Sequence, residues 1–256
     1  MSNKPGLTSG RRLSMEIQMI GTGSAFAKAF YNNNALIYAG GKTLLIDCGS
    51  TAPVALHRMG MSLTEIDAIL ITHIHADHVG GLEELAYRYK FVHKVRPQFY
   101  IADTLVHTLW ENSLKGGLEQ DGLHSLNEYF DVRPLQEGAA TELLPGLTAE
   151  LLLTRHIPKK LSYSVLLNGT FFYTADMVFD GGLLRRLVDE RGVRTIFHDC
   201  QLQAPGVVHA CLPELLTLPD DLQEKIRLMH YGDDQPEYVG RTGKMSFVEQ
   251  QRRYVL

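Results

Sequence analysis

The run Thr72-His73-Ile74-His75-Ala76-Asp77-His78 places three imidazoles and a carboxylate within seven residues, and Gly80-Gly81 follows it. Imidazole nitrogen and carboxylate oxygen together suit zinc, manganese or iron. At the end of an extended strand, His73 and His75 face the same way. A chain reversal after Ala76 sends Asp77 and His78 toward a second point, and the two glycines let the backbone turn into a helix without steric cost. The segment thus offers donors to two neighbouring cations: His73 and His75 to one, Asp77 and His78 to the other. Four such side chains in six residues, at the end of the apolar strand IDAILIT, are a poor match for a polar loop of chance histidines.

Four donors cannot complete two sites that also keep a position open for chemistry, so the chain must supply more. It does so at the ends of later apolar runs: His156 after LLLTR, Asp176 after FFYTA and His230 after IRLM. A carboxylate can bridge two cations. The expected sets are His73, His75 and His156 on one metal and Asp77, His78 and His230 on the other, with Asp176 shared. Any one of these late residues alone would read as a structural histidine or aspartate; the dense cluster changes that weighing. His57, His93, His107 and His124 lack carboxylate company and are assigned to surface or core.

The elements that must position these groups follow from period and punctuation. Strands are expected at 15–20, 35–39, 43–47, 66–72, 98–102, 147–154, 162–167, 170–175, 194–198 and 226–230. Helices are expected at 52–60, from Gly80-Gly81 onward, and at 104–114, 180–191 and 213–218. Ser62 and Glu65 have the spacing of a capping box. Leu82, Leu85, Ala86 and Tyr89 form one helical face. Gly21-Thr22-Gly23 follows a strand as a dinucleotide-binding turn does, but position 26 is Phe and no helical pattern follows, so that reading fails. Residues 24–34 read by default as a turn-rich connection, with contact to a base edge or a neighbouring subunit as the alternative for Tyr31 and the three asparagines after it. Segment 115–145 is of mixed character, a lid or a dimer contact. Two rounds of strands and helices, many strands apolar on both faces, point to an α/β protein: two sheets face to face with helices outside, a four-layer αββα sandwich. Residues 1–14 are expected to be a flexible tail and 15–256 a single domain.

The chain has 256 residues, 45% of them hydrophobic, and a net charge of −4 with histidine neutral. That balance argues against a general polyanion binder. Cys48, Cys200 and Cys211 are odd in number and unpaired in spacing, which fits reduced core thiols. MSNKPGLTSGRRLS lacks the apolar stretch of a signal peptide, and no run approaches the roughly 18 apolar residues of a membrane helix. The expected location is the cytoplasm, with no membrane partner.

The ordered set His73, His75, Asp77, His78, His156, Asp176 and His230 resembles the metallo-β-lactamase superfamily, over nearly the whole chain. Within it, His198-Asp199, His209 and Ser162-Tyr163-Ser164 look like the tRNase Z-like branch. Asp47, in LLIDCG, matches an early aspartate that lies beneath the metal centre in that fold; a strand-end turn residue is the competing reading. The basic, Gly/Pro-rich arm of tRNA-processing members is missing, so tRNA is not the expected partner. The runs MIGTGSAFAKAFYNNNALIY, ITHIHADHVGGLEE, FHDCQL and LMHYGDD are similar to the anti-Pycsar cyclic-nucleotide phosphodiesterases. That resemblance implies a homodimer, two zinc ions per subunit with manganese as an alternative, and hydrolysis of 3′,5′-cyclic mononucleotides, including cCMP and cUMP, to nucleoside 5′-monophosphates. It would counteract Pycsar antiphage signalling. In that chemistry Asp77 would help hold the attacking hydroxide as well as metal. His209 is the first candidate for general acid, oriented by Asp199 or His198. The competing reading of these three is a hydrogen-bonded strand terminus and a helix-flanking residue. Rival functions are an RNA 3′-processing endonuclease, a lactone or thioester hydrolase, and a metal-binding scaffold without catalysis.

Overall fold

Short apolar runs, most of them too short for a core helix, build two sheets in a computed structural model that describes residues 15–256. The expected tail at 1–14 lies outside the described residues. The strands of the first half are β1 (Glu16–Gly21), β2 (Asn34–Ala39), β3 (Lys42–Ile46), β4 (Ala68–Ile71), β5 (Gln98–Ala102) and β6 (Asp131–Leu135). Those of the second half are β7 (Thr141–Leu144), β8 (Leu147–Thr154), β9 (Ser162–Leu167), β10 (Phe171–Tyr173), β11 (Thr195–Asp199), β12 (Ile226–Met229), β13 (Ser246–Phe247) and β14 (Arg253–Val255). One sheet has the order β14-β1-β2-β3-β4-β5-β6 and the other β13-β12-β11-β10-β9-β8-β7.

Side-chain alternation shows how the layers meet. Phe171 and Tyr173 of β10 and Phe197 of β11 join the large core that includes Ile17, Leu36 and Leu45 of the first sheet. Their neighbours along the strands, Phe172 and Ile196, join a second cluster with Leu184 and Leu187 of the helix Gly181–Asp189. One face of the second sheet therefore packs on the first sheet and the other on helices, as a period-2 strand buried on both sides requires. The all-buried strands β4 and β9 have the same cause.

In each sheet a block of four strands is parallel, β3 to β6 and β10 to β13. Parallel strands end at one edge, and open α/β sheets place their sites outside that carboxyl edge. Here the edges of both sheets come together. On one side of the junction Tyr163 N–H donates to the Thr72 carbonyl at 3.2 Å. On the other, Ser24 N–H donates to Tyr231 O at 3.0 Å and Tyr231 N–H to Thr22 O at 3.1 Å.

The expected capping box is present: Ser62 Oγ accepts from Thr64 N–H, and Glu65 accepts from Ser62 N–H. Leu82, Leu85, Ala86 and Tyr89 are all buried. Segment 115–145 contains the edge strands β6 and β7 and carries the chain from one sheet to the other. Gly21-Thr22-Gly23 precedes a loop, not a helix. A Cβ on Gly23 would stand 2.8 Å from the Cβ atoms of Ala27 and Phe30, so the glycine admits a tight return of the chain. The three asparagines face the interior of the protein instead of a base or a neighbouring subunit. Asn33 and Asn34 are fully buried and Asn32 nearly so. Asn32 Oδ1 accepts from Thr51 N–H, and Asn34 bridges Gly49 N–H and the Asp77 carbonyl. Among the described residues no helix is long and apolar enough to cross a membrane.

All three cysteines are buried and unpaired, and burial pushes the Cys48 and Cys200 thiols well above the ordinary range. Native protein treated with a thiol reagent at pH 8 should therefore label at none of them, and denatured protein at all three. Rapid labelling in the native state would contradict this packing.

Candidate metal centre

Each donor sits just past the end of a strand, where the backbone leaves the sheet. Asp47 follows β3, His73 to His78 follow β4, His156 follows β8, Asp176 follows β10, Asp199 ends β11 and His230 follows β12. His75 is extended and a short helix, Ala76–Val79, begins immediately after it. That reversal is the divergence expected for Asp77 and His78. The turn is tight: a Cβ on Gly49 would fall on the Asp77 carbonyl. Three residues here hold the left-handed conformation without being glycine, Asp47 at φ 60°, Ala175 at φ 49° and His230 at φ 58°. Such conformations cost about 1–3 kcal/mol each and persist where surrounding contacts impose them.

The structure brings all seven expected donors together. Ligating atoms of His73, His75, His156 and Asp176 lie within 4.8 Å of one another, and so do those of Asp77, His78, Asp176 and His230. Asp176 belongs to both groups. Its Oδ1 is 3.3 Å from His78 Nε2, and its Oδ2 is 3.4 Å from His230 Nε2 and 3.6 Å from His73 Nε2.

Hydrogen bonds behind the donors fix which nitrogen faces inward. Thr72 N–H and O–H donate to the two oxygens of Asp47 at 2.9 and 2.7 Å. With its proton so used, the Thr72 oxygen is the acceptor for His73 Nδ1–H at 3.1 Å, which leaves a lone pair on His73 Nε2. His78 Nδ1–H donates to Asp47 Oδ2 at 2.8 Å, turning Nε2 to Asp77 and Asp176. His156 Nδ1–H donates to the Val208 carbonyl at 2.6 Å. Asp47 thus lies beneath the centre, as the sequence resemblance implied, in the orienting position that metal-binding histidines commonly have behind them.

Three observations test whether cations fit. His73 Nε2 and His156 Nε2 stand 3.1 and 3.2 Å from His75 Nδ1. Tetrahedral ligands about 2.0–2.1 Å from an ion are separated from one another by about 3.3 Å, so these nitrogens have the spacing of one coordination shell. His78 Nε2 and Asp176 Oδ1 are buried and have no hydrogen-bond partner. Finally, Asp47, Asp77, Asp176 and Asp199 are four buried carboxylates, and their ion-pair partners among the described residues are histidines alone. Buried carboxylates of that number require positive charge nearby. The donor set is compatible with metal binding.

Electrostatics divide the centre. Burial, reinforced by neighbouring imidazoles, holds His73 well below the usual histidine range and pushes His75 down to about 4. Burial also lowers His156. These imidazoles are neutral and present lone pairs. Burial works against charge on His78 too, but Asp176, Asp77 and Asp47 outweigh it and raise that group. For Asp176, burial is outweighed by His230, His78 and His73, which hold the carboxyl ionised.

Asp199, His209 and His198 were expected beside the centre. Asp199 Oδ2 accepts from His209 Nδ1–H at 3.0 Å, and His209 stacks on His230 with ring centroids 4.8 Å apart. His198 is fully buried, and its Nδ1–H donates to the Asp199 carbonyl at 2.7 Å. It reaches His209 only through Asp199. Ser162 and Ser164 donate to the carbonyls of Asp176 and Thr174, steadying the strand end that presents Asp176. His57, His107 and His124 are exposed, and His93 is partly buried beside Tyr89. Sequence reasoning missed Val208, whose carbonyl orients His156, and the role of the asparagines; Val208's place next to His209 was the one available signal.

Asp47→Asn removes one acceptor charge from beneath the centre while conserving shape. It should weaken metal affinity about 10–100-fold, measured by competition with a chelator, with the far-ultraviolet circular dichroism unchanged. Unaltered affinity would mean that Asp47 is a turn residue only.

The family described as "Anti-Pycsar protein Apyc1" matches residues 15–254. The anti-Pycsar protein Apyc1 of Paenibacillus harenae is 61% identical over 240 residues, covering 94% of this chain and 99% of that protein. Its counterpart in Bacillus phage BSP38 is 45% identical over 255 residues, covering 94% and 98%. Among solved structures, the metallo-β-lactamase fold protein YhfI from Bacillus subtilis superposes with a TM-score of 0.75 at 17% identity, over 95% of this chain and all of that one. With the two-sheet architecture, these matches establish that the chain has the metallo-β-lactamase fold and belongs to the anti-Pycsar Apyc1 family.

Proposed function

We propose that the protein is a dinuclear metal phosphodiesterase. It hydrolyses 3′,5′-cyclic mononucleotides, cCMP and cUMP among them, to nucleoside 5′-monophosphates, and so removes the Pycsar signal. The observation that carries this reading is a pair of donor sets sharing Asp176, opening on a cavity of about 620 Å³ bounded by Asp77, His156, Asp176, His209 and His230. His73, His75 and His156 would hold one cation and Asp77, His78 and His230 the other, with Asp176 between them. Zinc suits these donors and manganese is the alternative. When bound, such cations lower the pKa of water toward neutrality and draw charge from a phosphoryl oxygen.

The chain's own residues supply orientation and proton transfer. Asp77 Oδ2 is engaged with His78 and His230, so Oδ1 is the oxygen free to accept a hydrogen bond from the attacking hydroxide and hold it in place. As the water oxygen bonds to phosphorus, the bond from phosphorus to the ribose 3′ oxygen breaks and its electron pair stays on that oxygen. His209 protonates it from Nε2, because Nδ1–H is committed to Asp199. His198 keeps the Asp199 backbone and carboxylate in place. The fully buried Asp199 holds His209 charged until the proton leaves: burial opposes that charge, but the hydrogen bond to Asp199 and the charge of Asp176 outweigh it. The working form is read as a cytoplasmic homodimer, to be checked by light scattering.

Purified protein incubated with a panel of cyclic mono- and dinucleotides and a precursor tRNA, the products then separated by chromatography, should yield 5′-monophosphates from the cyclic mononucleotides. Cleavage of the tRNA alone would sink this reading in favour of RNA processing; metal binding with no hydrolysis of any of them would leave a scaffold. Two variants separate the roles. His75→Ala should abolish turnover and lower bound metal. His209→Ala should lower kcat by about 10²–10⁴-fold with metal content intact.

A further inference from the structure

Phe26 is 89% exposed, the most exposed large hydrophobic side chain among the described residues. The loop that carries it is nevertheless pinned. Lys28 and Ala29 N–H both donate to the Asp233 carboxylate at 2.9 Å, and Tyr31 N–H donates to Gln250 Oε1 at 2.8 Å. Ser24 N–H is bonded to Tyr231, and Phe30 packs edge-on against the Tyr231 ring with centroids 5.0 Å apart. Neighbouring Ala27 is buried. None of these contacts uses the Phe26 ring.

The ring borders two cavities. One is the 620 Å³ space over the metal donors. The other, about 400 Å³, lies between the Phe26 loop and Gln201, Gln203 and Asp234. Val208, His209 and His230 bound both, so the second compartment adjoins the metal donors at His209, the proton donor proposed above. Its size falls within the range of small-molecule sites. Its amide donors are already spent: Gln201 Nε2 on the carbonyls of Gln203 and Pro205, and Gln203 Nε2 on Asp234. A ligand group entering there finds an aromatic face and few free donors for reading its edge. A planar heteroaromatic ring satisfies that environment, because stacking is available to any base.

We propose that Phe26 is the platform on which the substrate's nucleobase stacks, with the 400 Å³ compartment receiving the base while the cyclic phosphate lies over the metal donors. The assignment rests on the cyclic-nucleotide reading above and makes Phe26 a binding residue that does not touch the reacting atoms.

The test compares wild type, Phe26→Ala, Phe26→Leu and Phe26→Trp on cyclic CMP, cyclic AMP and a base-free control, the cyclic 3,5-phosphate of 1-deoxyribose. Phe26→Ala and Phe26→Leu should raise KM for both nucleotides about tenfold or more, with kcat little changed. Phe26→Trp should keep KM near wild type, and the base-free substrate should respond to none of the three. Wild type that turns over no cyclic nucleotide overturns the underlying reading and this assignment with it. Wild type that is active, with Phe26→Ala unchanged, overturns the assignment alone. An equal KM rise on the base-free substrate, or a change in solution mass in Phe26→Ala, also overturns it, showing Phe26 to be a loop-shaping or subunit-contact residue.

Discussion

Four carboxylates buried where two sheet edges meet cannot all remain ionised without positive charge beside them. Asp47, Asp77, Asp176 and Asp199 are each less than a tenth exposed. No lysine or arginine among the described residues pairs with any of them. The histidines cannot neutralise the group on their own, because burial keeps several of them neutral. The cost of an uncompensated buried charge is several kcal/mol even after relaxation. The centre is therefore built around an excess of buried negative charge that bound cations would relieve, and cation binding would be linked to fold stability through it. Asp47 shows the economy of the arrangement. One side chain accepts from Thr72 and His78, and so fixes two donor-bearing segments at once.

The fold meets this constraint by bringing the carboxyl ends of parallel strands in both sheets to one place. The first sheet supplies Asp47 and the His73–His78 segment; the second supplies His156, Asp176, Asp199 and His230. The backbone must then turn sharply exactly where a side chain has to point inward, and three non-glycine residues adopt the left-handed conformation there. A glycine at Asp47 or His230 would ease the backbone but lose the functional group. Strain at these positions follows from the demand for a charged or ligating side chain on a tight turn, and surrounding hydrogen bonds hold it in place.

Much of this was legible in the sequence, for identifiable reasons. Strand β4, AILI, is apolar on both faces and is followed at once by the titratable run, so its type and the position of His73 could be read directly. The long-range completion by His156, Asp176 and His230 could be read because each follows an apolar run of its own. The edge strands could not. β6 is DVRPL, a mostly exposed edge strand whose arginine and proline break the apolar pattern. β13 and β14 span two and three residues, too short for any period to register. The asparagines failed for a different reason. Asn32 and Asn34 have the local signature of a turn, while their partners, Thr51, Gly49 and Asp77, lie 15 to 43 residues away in sequence, where composition gives no hint of contact.

The asparagines also bear on how the two halves stay in register. A sheet displaced by one residue against its neighbour, about 3.3 Å along the strands, would pull the donors it supplies away from those of the other sheet. The junction is held on both flanks of the metal centre by backbone bonds between the sheets, Thr72 to Tyr163 on one side and Thr22 and Ser24 to Tyr231 on the other. Between them Asn33 Nδ2 donates to the Tyr173 hydroxyl across the sheet interface at 3.1 Å. These are directional bonds in a dry interior, costly to leave unmade, and they select one alignment where apolar contact alone would tolerate several. The loop bearing Phe26 leaves from one of these pinned positions, Ser24, and returns to the sheet at the asparagines. Its tip is thus held relative to His209 and His230 by the same bonds that align the donors, and the geometry of the cavities beside the centre is inherited from the register of the two sheets.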